Sequence, residues 1–152
     1  MTKSVNGKVL LVDDEEMVTR NMEMLLRVES SLEPVAFNLP DQALAYLREE
    51  TVDVVLADFV MPGINGLDFL AQVKTIQPAT SRLLLTGYAD KESAIRAINE
   101  IGLFQYLEKP WNNADVLVIL RNAVERSQLL RKLNERTNSL GELRDQVWRM
   151  LV

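Results

Sequence analysis

Apolar residues gather along the chain in short, nearly uninterrupted runs, and stretches with helical spacing separate these runs. The strongest runs lie at positions 9–12, 52–57 and 83–85, and residues 34–37 and 104–107 form two weaker ones. Continuous runs are typical of strands that are covered on both faces, because strands with one solvated face alternate apolar and polar residues instead. The pattern therefore predicts five buried strands.

Between the runs, apolar side chains recur every three or four residues, which places them on one face of a helix. These positions are Val18, Met22, Leu25 and Leu26, then Ala43, Leu44 and Leu47, then Leu67, Leu70 and Val73, and then Ala94, Ile95, Ile98 and Ile101. Alternating strands and helices predict an α/β fold, and right-handed crossovers then require a parallel sheet with helices on both faces. Because ligands of such sheets bind beyond the carboxyl ends of the strands, the residues after each run are candidates for a site.

The C-terminal part of the chain has a different pattern. From Asn113 onward there is no Pro and a single Gly, Gly141, so one long helix is predicted. Beyond Ser127 the apolar residues follow a 3-4 repeat that Arg136 interrupts. The repeat consists of Leu129, Leu133, Leu140, Leu143, Val147 and Met150.

We therefore divide the chain into a domain over residues 1–127 and a helical extension over residues 128–152. The repeat favours a coiled coil or a linker to another module, since a seam with this spacing is buried against a second helix. A helix folded back on the domain and a frayed tail are the alternatives. Because no helix stop signal precedes Val152, we expect an output region beyond it.

The composition restricts the possible chemistry. The 152 residues include no Cys and no His, which excludes disulfides, thiolate or imidazole metal sites and Ser-His-Asp catalysis. A net charge of −5 argues against a nucleic-acid-binding surface. No apolar stretch reaches the length of a membrane span, so we expect a cytoplasmic protein. Its chemistry would depend on carboxylates, hydroxyls, lysine and a hard cation.

Polar residues follow the predicted strands at four of the five ends. Asp13 and Asp14 follow the first run, Asp58 the third, Thr86 the fourth and Lys109 the fifth. If the first and third strands are neighbours, the three carboxylates crowd together, and two carboxylates 4 Å apart repel by about 4 kcal/mol at an effective dielectric constant of 20. A cation relieves this repulsion, and oxygen ligands without soft donors favour Mg²⁺.

The same residues suit phosphoryl transfer. Asp58 is the candidate nucleophile, because carboxylates carry phosphoryl groups covalently. Lys109 and the Thr86 hydroxyl are candidate donors to the phosphoryl oxygens. Taken singly, each residue has a structural alternative: a turn former, a solvated lysine or, for Asp14, a helix N-cap. Their joint occurrence at successive strand ends favours a site.

Four segments carry a resemblance to a known family. VLLVDDEE, VVLADFVMPGINGLDFL, LLLTGYAD and YLEKPW resemble the receiver domain of two-component response regulators, the CheY-like family, over about residues 6–127. The resemblance implies a five-stranded parallel sheet of flavodoxin-like order 2-1-3-4-5. The KPW and TGYAD stretches resemble most closely the receivers that are fused to a metal-dependent phosphohydrolase or another enzymatic output module.

The resemblance also assigns a role to each site residue. Asp58 resembles the phospho-accepting aspartate of the family. Asp13 and Asp14 resemble the acidic pair that holds Mg²⁺, with Asp58 and the backbone carbonyl of Val60 as further ligands.

Three residues in or after the fourth and fifth runs complete the transferred set. Thr86 resembles the switch hydroxyl, Tyr106 the switch aromatic residue, and Lys109 the lysine that contacts the phosphoryl group. The family's Lys-Pro bond is typically cis, which the small energy difference of X-Pro bonds permits, so we expect a cis bond between Lys109 and Pro110.

These roles imply a phosphorylation switch that is not an enzyme. A sensor histidine kinase or a small phosphodonor would phosphorylate Asp58, and Thr86 and Tyr106 would then change the face formed by the fourth helix, fifth strand and fifth helix. The expected readout is a homodimer through the C-terminal helix, or contact with a missing or separate output module, with no nucleic acid and no membrane bound by this chain. A phosphorylation-independent helical scaffold and a magnesium-dependent aspartyl phosphohydrolase are the alternatives, although Val60 occupies the position where the hydrolase needs a second acid.

Overall fold

The fold is an α/β sandwich, seen in a computed structural model that describes residues 6–87 and 90–151. The strands are β1 (Gly7–Val12), β2 (Leu32–Phe37), β3 (Val54–Asp58), β4 (Ser81–Thr86) and β5 (Gln105–Glu108). The helices are α1 (Glu16–Glu29), α2 (Pro40–Glu49), α3 (Gly66–Ile76), α4 (Lys91–Glu100) and α5 (Asn113–Leu151). Tyr88 and Ala89 of the TGYAD segment, and Val152, lie outside the described residues.

The five strands form one parallel sheet in the order β2-β1-β3-β4-β5, which confirms the predicted fold class and strand order. β1 and β3 are hydrogen-bonded neighbours, and Val12 lies opposite Ala57. Because the strands are parallel and in register, the residues that follow both of them leave the sheet at the same edge.

Successive residues of each strand face opposite layers of helices, so both faces of the sheet are buried. Leu10 and Val12 pack with α2, α3 and α4, whereas Val9 and Leu11 pack with α1 and α5. A strand that is covered on both faces has no solvated side to carry polar residues. This explains why the sequence shows uninterrupted apolar runs.

The bounds of all five strands differ from the predicted runs by one or two residues, and two of these differences are informative. β2 begins at Leu32 and contains Pro34, which an edge strand tolerates although proline has no N–H. β3 begins at Val54 because Asp53 interrupts the regular strand: its carboxylate accepts a hydrogen bond from Lys8 N at 2.8 Å.

Helix α5 is continuous over 39 residues, which confirms the long C-terminal helix. The predicted boundary after Ser127 falls inside it, and the next turn still contacts the domain: Gln128 Nε2 donates to Asn6 O at 2.9 Å, and Arg131 pairs with Asp53. Farther along, the side chains of the 3-4 repeat are 47–85% exposed, so they do not pack back on the described part of the domain. Among the described residues, no helix combines the length and apolar character that crossing a membrane requires.

Candidate metal and phosphoacceptor site

Three carboxylates from two neighbouring strands meet at the carboxyl edge of the sheet. Asp13 and Asp14 follow β1, Asp58 ends β3, and one oxygen from each lies within 4.8 Å of the other two. Asp13 and Asp58 are buried, whereas Asp14 is exposed. The pairing of β1 with β3 therefore produces the crowding that the sequence predicted, with one of the acids open to solvent.

Lys109 bridges the two buried carboxylates from the end of β5. Its Nζ lies 3.0 Å from Asp13 Oδ2, 3.0 Å from Asp58 Oδ1 and 3.9 Å from Glu15 Oε1. The backbone positions the side chain, since Lys109 N donates to Thr86 O at 2.8 Å. One ammonium thus faces several acidic groups, which leaves the site with an excess of negative charge.

Burial and charge shift the pKa values of this group in consistent directions. Burial raises the pKa of the Asp58 carboxyl, with a further contribution from the Asp14 charge, and Lys109 opposes this shift. Burial also raises the pKa of Asp13 despite the hydrogen bond from Glu15 N and the adjacent ammonium of Lys109. For Lys109, burial lowers the pKa, but the two carboxylates outweigh it and the net shift is upward. Both carboxylates are therefore costly to ionise, and an additional cation would lower that cost.

A tightly held loop fixes the backbone after Asp58. Phe59 N donates to Leu85 O at 2.9 Å, and Gly66 N donates back to Phe59 O at 2.7 Å. A Cβ on Gly66 would lie 2.3 Å from Asp58 O, so only glycine allows this close approach. Val60, whose carbonyl is a candidate metal ligand, lies within this loop and has an exposed side chain.

The two candidate switch residues lie on neighbouring strands, Thr86 at the end of β4 and Tyr106 within β5. Thr86 is fully buried, and its hydroxyl donates to Leu107 O at 3.4 Å rather than to Asp58. Tyr106 is half-buried and packs against the core on the α2, α3 and α4 side. The Lys109–Pro110 bond is cis, as expected. Thr86 therefore has a protein partner here that it can exchange for another acceptor.

Two supporting residues were not predicted from the sequence, and one alternative role, Asp14 as a helix N-cap, was wrong. Asn38 Nδ2 donates to Asp13 O at 2.9 Å and so ties the β1 end to the loop after β2. Glu15 occupies the N-cap position of α1 without a side-chain cap bond, and Glu15 N donates to Asp13 Oδ1 at 2.9 Å, so the Asp14 N-cap alternative is wrong. The run of four acids at 13–16 hinted at Glu15, whereas nothing local to Asn38 signalled its partner.

Comparison with known proteins places this geometry in a family. Residues 9–121 match the response regulator receiver domain. The chain is 37% identical over 118 residues to the hydrogenase transcriptional regulatory protein HoxA of Cupriavidus necator. The aligned region covers 77% of this chain and 24% of that protein. The chain thus spans about a quarter of the length of that curated relative and of others like it.

Solved structures show the same fold. A structure described as adenylate cyclase from Rhodopirellula baltica superimposes with a TM-score of 0.81 at 26% identity, covering 88% of this chain and 98% of that one. The signal receiver domain of an HD domain-containing protein from Pseudomonas fluorescens gives a TM-score of 0.77 at 32% identity, covering 87% and 96%. With the family match over residues 9–121, these similarities show that the chain belongs to the response regulator receiver domain family.

Proposed function

We propose that this chain is a phosphorylation switch that accepts a phosphoryl group on Asp58 from a sensor histidine kinase in a Mg²⁺-dependent reaction. The observation that carries the proposal is the pairing of a buried Asp58 with Lys109 at 3.0 Å, beside two further carboxylates. Receiver domains are regulatory rather than catalytic, and the chain contains no imidazole or thiol for other nucleophilic chemistry.

The residues present fit a hard divalent cation. Asp13, Asp14 and Asp58 supply only oxygen donors, which is the set that Mg²⁺ prefers. Among the described residues, the buried Oδ2 of Asp13 has no aligned hydrogen-bond donor despite its ion pair with Lys109, so it retains capacity for a ligand. With the carbonyl of Val60 as a further donor, these residues would hold Mg²⁺, which supplies charge neutralisation for the phosphoryl oxygens when bound.

The transfer needs positioning more than additional chemical groups. An Asp58 carboxylate oxygen forms a bond to phosphorus while the bond from phosphorus to the donor's imidazole nitrogen breaks, and its electron pair leaves with that nitrogen. Lys109 Nζ, already 3.0 Å from Asp58 Oδ1, is placed to donate to a phosphoryl oxygen. Because the ionised carboxylate already carries one charge, the aspartyl phosphate adds about one further negative charge and three acceptor oxygens, at a site that already has an acidic excess.

The new charge changes the partners of two residues. Lys109 gains a stronger acceptor than the carboxylates it now bridges, and the Thr86 hydroxyl gains an acceptor that competes with Leu107 O. Movement of Thr86 frees space beside the half-buried Tyr106 on β5. The face formed by α4, β5 and α5 would change in response, and α5 would carry the change to its exposed apolar seam, where a second copy or an output module binds.

Phosphate incorporation from acetyl phosphate tests the assignment. We expect wild-type protein to incorporate phosphate only with Mg²⁺, and we expect Asp58→Asn to abolish incorporation because the nucleophile is gone. Asp13→Asn should reduce it by weakening the cation site, at least tenfold when one charge-assisted ligand is lost. Asp68→Asn is the matched control, since Asp68 is exposed on α3 away from the cluster. Undiminished incorporation in Asp58→Asn would contradict the proposal.

A further inference from the structure

A second charged cluster lies at the opposite, amino-terminal edge of the sheet. Arg82 is the second residue of β4, and it is 3% exposed. Among the described residues, no carboxylate forms an ion pair with Arg82, and the same holds for Lys74 and Arg126. We call these three residues the amino-edge basic cluster. Buried arginines are normally paired, so the absent counter-charge requires an explanation.

Backbone carbonyls satisfy only part of the Arg82 guanidinium. Nη1 donates to Pro78 O at 3.3 Å and Thr80 O at 3.0 Å, and Nη2 donates to Gly102 O at 3.2 Å. These bonds use three of the five N–H groups. The buried Nε has no partner among the described residues. Nε and Nη2 form the edge of a guanidinium that binds carboxylate or phosphate in a bidentate manner.

The surroundings add positive charge rather than compensating it. Burial lowers the pKa of Arg82, and the charge of Arg126 lowers it further. Arg126 is itself held over the Phe104 ring at 5.9 Å and donates to Ser81 Oγ at 3.3 Å, so its position is fixed. The cluster therefore concentrates cationic charge in a protein whose net charge is −5.

An open position lies between two of the cations. Gly102 is exposed and has a φ of +73°, and a Cβ built on it would lie 3.8 Å from both Arg82 Nη2 and Lys74 Nζ. That distance is ordinary van der Waals contact, so a group at this position touches both nitrogens without displacing them. Lys74 is exposed on α3 and its flexible side chain can close over a bound group.

We propose that the amino-edge basic cluster is an oxyanion-binding site that takes a phosphate group above Gly102, between Lys74 Nζ and Arg82 Nη2. A phosphate suits the site better than a carboxylate because a dianion matches two flanking cations and has enough oxygens to reach both. The site is independent of phosphorylation on Asp58, which lies at the other edge of the sheet. The phosphate can be inorganic or belong to a small phosphate ester, since both present the same group.

Titration of the 152-residue chain followed by amide NMR tests the site. Without Mg²⁺ and at constant ionic strength, inorganic phosphate should shift the amides of Gly102 and Lys74 saturably, whereas acetate should shift them at least fivefold more weakly. A stronger response to glycerol 3-phosphate than to phosphate would support the site and identify an ester as its ligand. An equal or weaker response to the ester would support it with free phosphate as the ligand. Shifts confined to Thr86 and Gly87, or no saturable shift, would overturn the proposal.

Variants distinguish the site from unspecific charge attraction. Lys74→Gln should weaken phosphate binding at least fivefold, whereas Lys132→Gln, an exposed lysine on α5, should leave it unchanged. Equal binding in wild type and Lys74→Gln would refute the site.

Two substitutions at Gly102 test whether the amino-edge basic cluster lacks a counter-charge, and neither removes a buried side chain. Asn and Asp both tolerate a positive φ, so neither should prevent folding. Gly102→Asp places a carboxylate between the two nitrogens, so it should abolish phosphate binding and raise the melting temperature by about 2–4 °C relative to Gly102→Asn. Equal melting temperatures of the two variants would show that the charge is already compensated and would overturn the proposal.

Discussion

At Asp58, the candidate phosphoacceptor, burial dominates the protonation behaviour of the side chain. The carboxylate is buried beside Asp13, and one ammonium, Lys109, serves both of them. Because burial raises the pKa of Asp58 above its unfolded value near 3.9, the protonated form stabilises the folded state. That contribution is complete below the unfolded pKa and is lost as the pH rises through the folded one. At neutral pH the ionised Asp58 therefore destabilises the metal-free protein.

This sign predicts that Asp58→Asn is more stable than wild type at pH 7 in the presence of a chelator, and that the difference shrinks as the pH falls toward 4. Urea denaturation across this range measures it. Asp145→Asn, an exposed acid on the C-terminal extension, serves as the control and should show no comparable gain. If Asp58→Asn is less stable than wild type at pH 7, the ion pair with Lys109 stabilises the ionised carboxylate by more than its burial costs.

Helix α5 remains attached to the domain beyond its last residues in the hydrophobic core. Arg131 donates to Val52 O at 3.2 Å and pairs with Asp53, whose carboxylate also accepts from Lys8 N. The Asp53 side chain is only 11% exposed, so the pair is largely shielded from solvent. The first turn of the extension is therefore fixed in direction by an ion pair rather than by apolar packing.

Arg131→Gln tests this attachment. Loss of one partner of a fully buried pair costs 3–5 kcal/mol, and because Arg131 is partly exposed we expect a decrease of about 2 kcal/mol in the free energy of unfolding. Hydrogen exchange of α5 between residues 128 and 136 should also accelerate, because the extension loses its anchor. Arg121→Gln, at an exposed position of the same helix, is the matched control. Unchanged exchange in Arg131→Gln would show that the pair does not hold the helix.

The same elements show how far sequence alone reaches. The five strands follow from uninterrupted apolar runs, whereas their order came only from the resemblance to receiver domains. Once β1 and β3 are neighbours, parallel strands place Asp13 and Asp58 at one edge. Asp53 escaped prediction because it lies within an apolar run and its partner, Arg131, is far away in sequence. Asn38 and Arg82 escaped for the same reason: their roles depend on backbone carbonyls that only the folded chain brings near.

On the scale of the whole molecule, α5 connects the two edges of the sheet. It begins at Asn113, shortly after Lys109 at the carboxyl edge, and passes Asp53 at the amino edge before it extends away. In the proposed switch, a change at Asp58 would reach the extension through this one continuous helix.

The exposed apolar seam of the extension predicts a dimer of this chain. Leu140 and Leu143 are 67% and 57% exposed, and burial of one such side chain contributes about 1.5–3 kcal/mol. We expect sedimentation of the full chain to show a concentration-dependent dimer and the double variant Leu140→Glu, Leu143→Glu to remain monomeric. Asn134→Glu, at an exposed position off the seam, controls for added negative charge and should leave the dimer intact. A monomer at all concentrations for the wild type would contradict the prediction.

Arg136 makes the test more specific, because it occupies a seam position between Leu133 and Leu140. A charged residue in a seam lowers the stability of the coiled coil while fixing its register. If two copies pair along this seam, Arg136→Leu should strengthen the dimer at least tenfold, because it replaces a buried like-charge contact by an apolar one. If the seam instead binds an output module and the dimer forms elsewhere, Arg136→Leu should leave the dimer dissociation constant unchanged. That result would show that the copies of this chain do not associate through the apolar repeat.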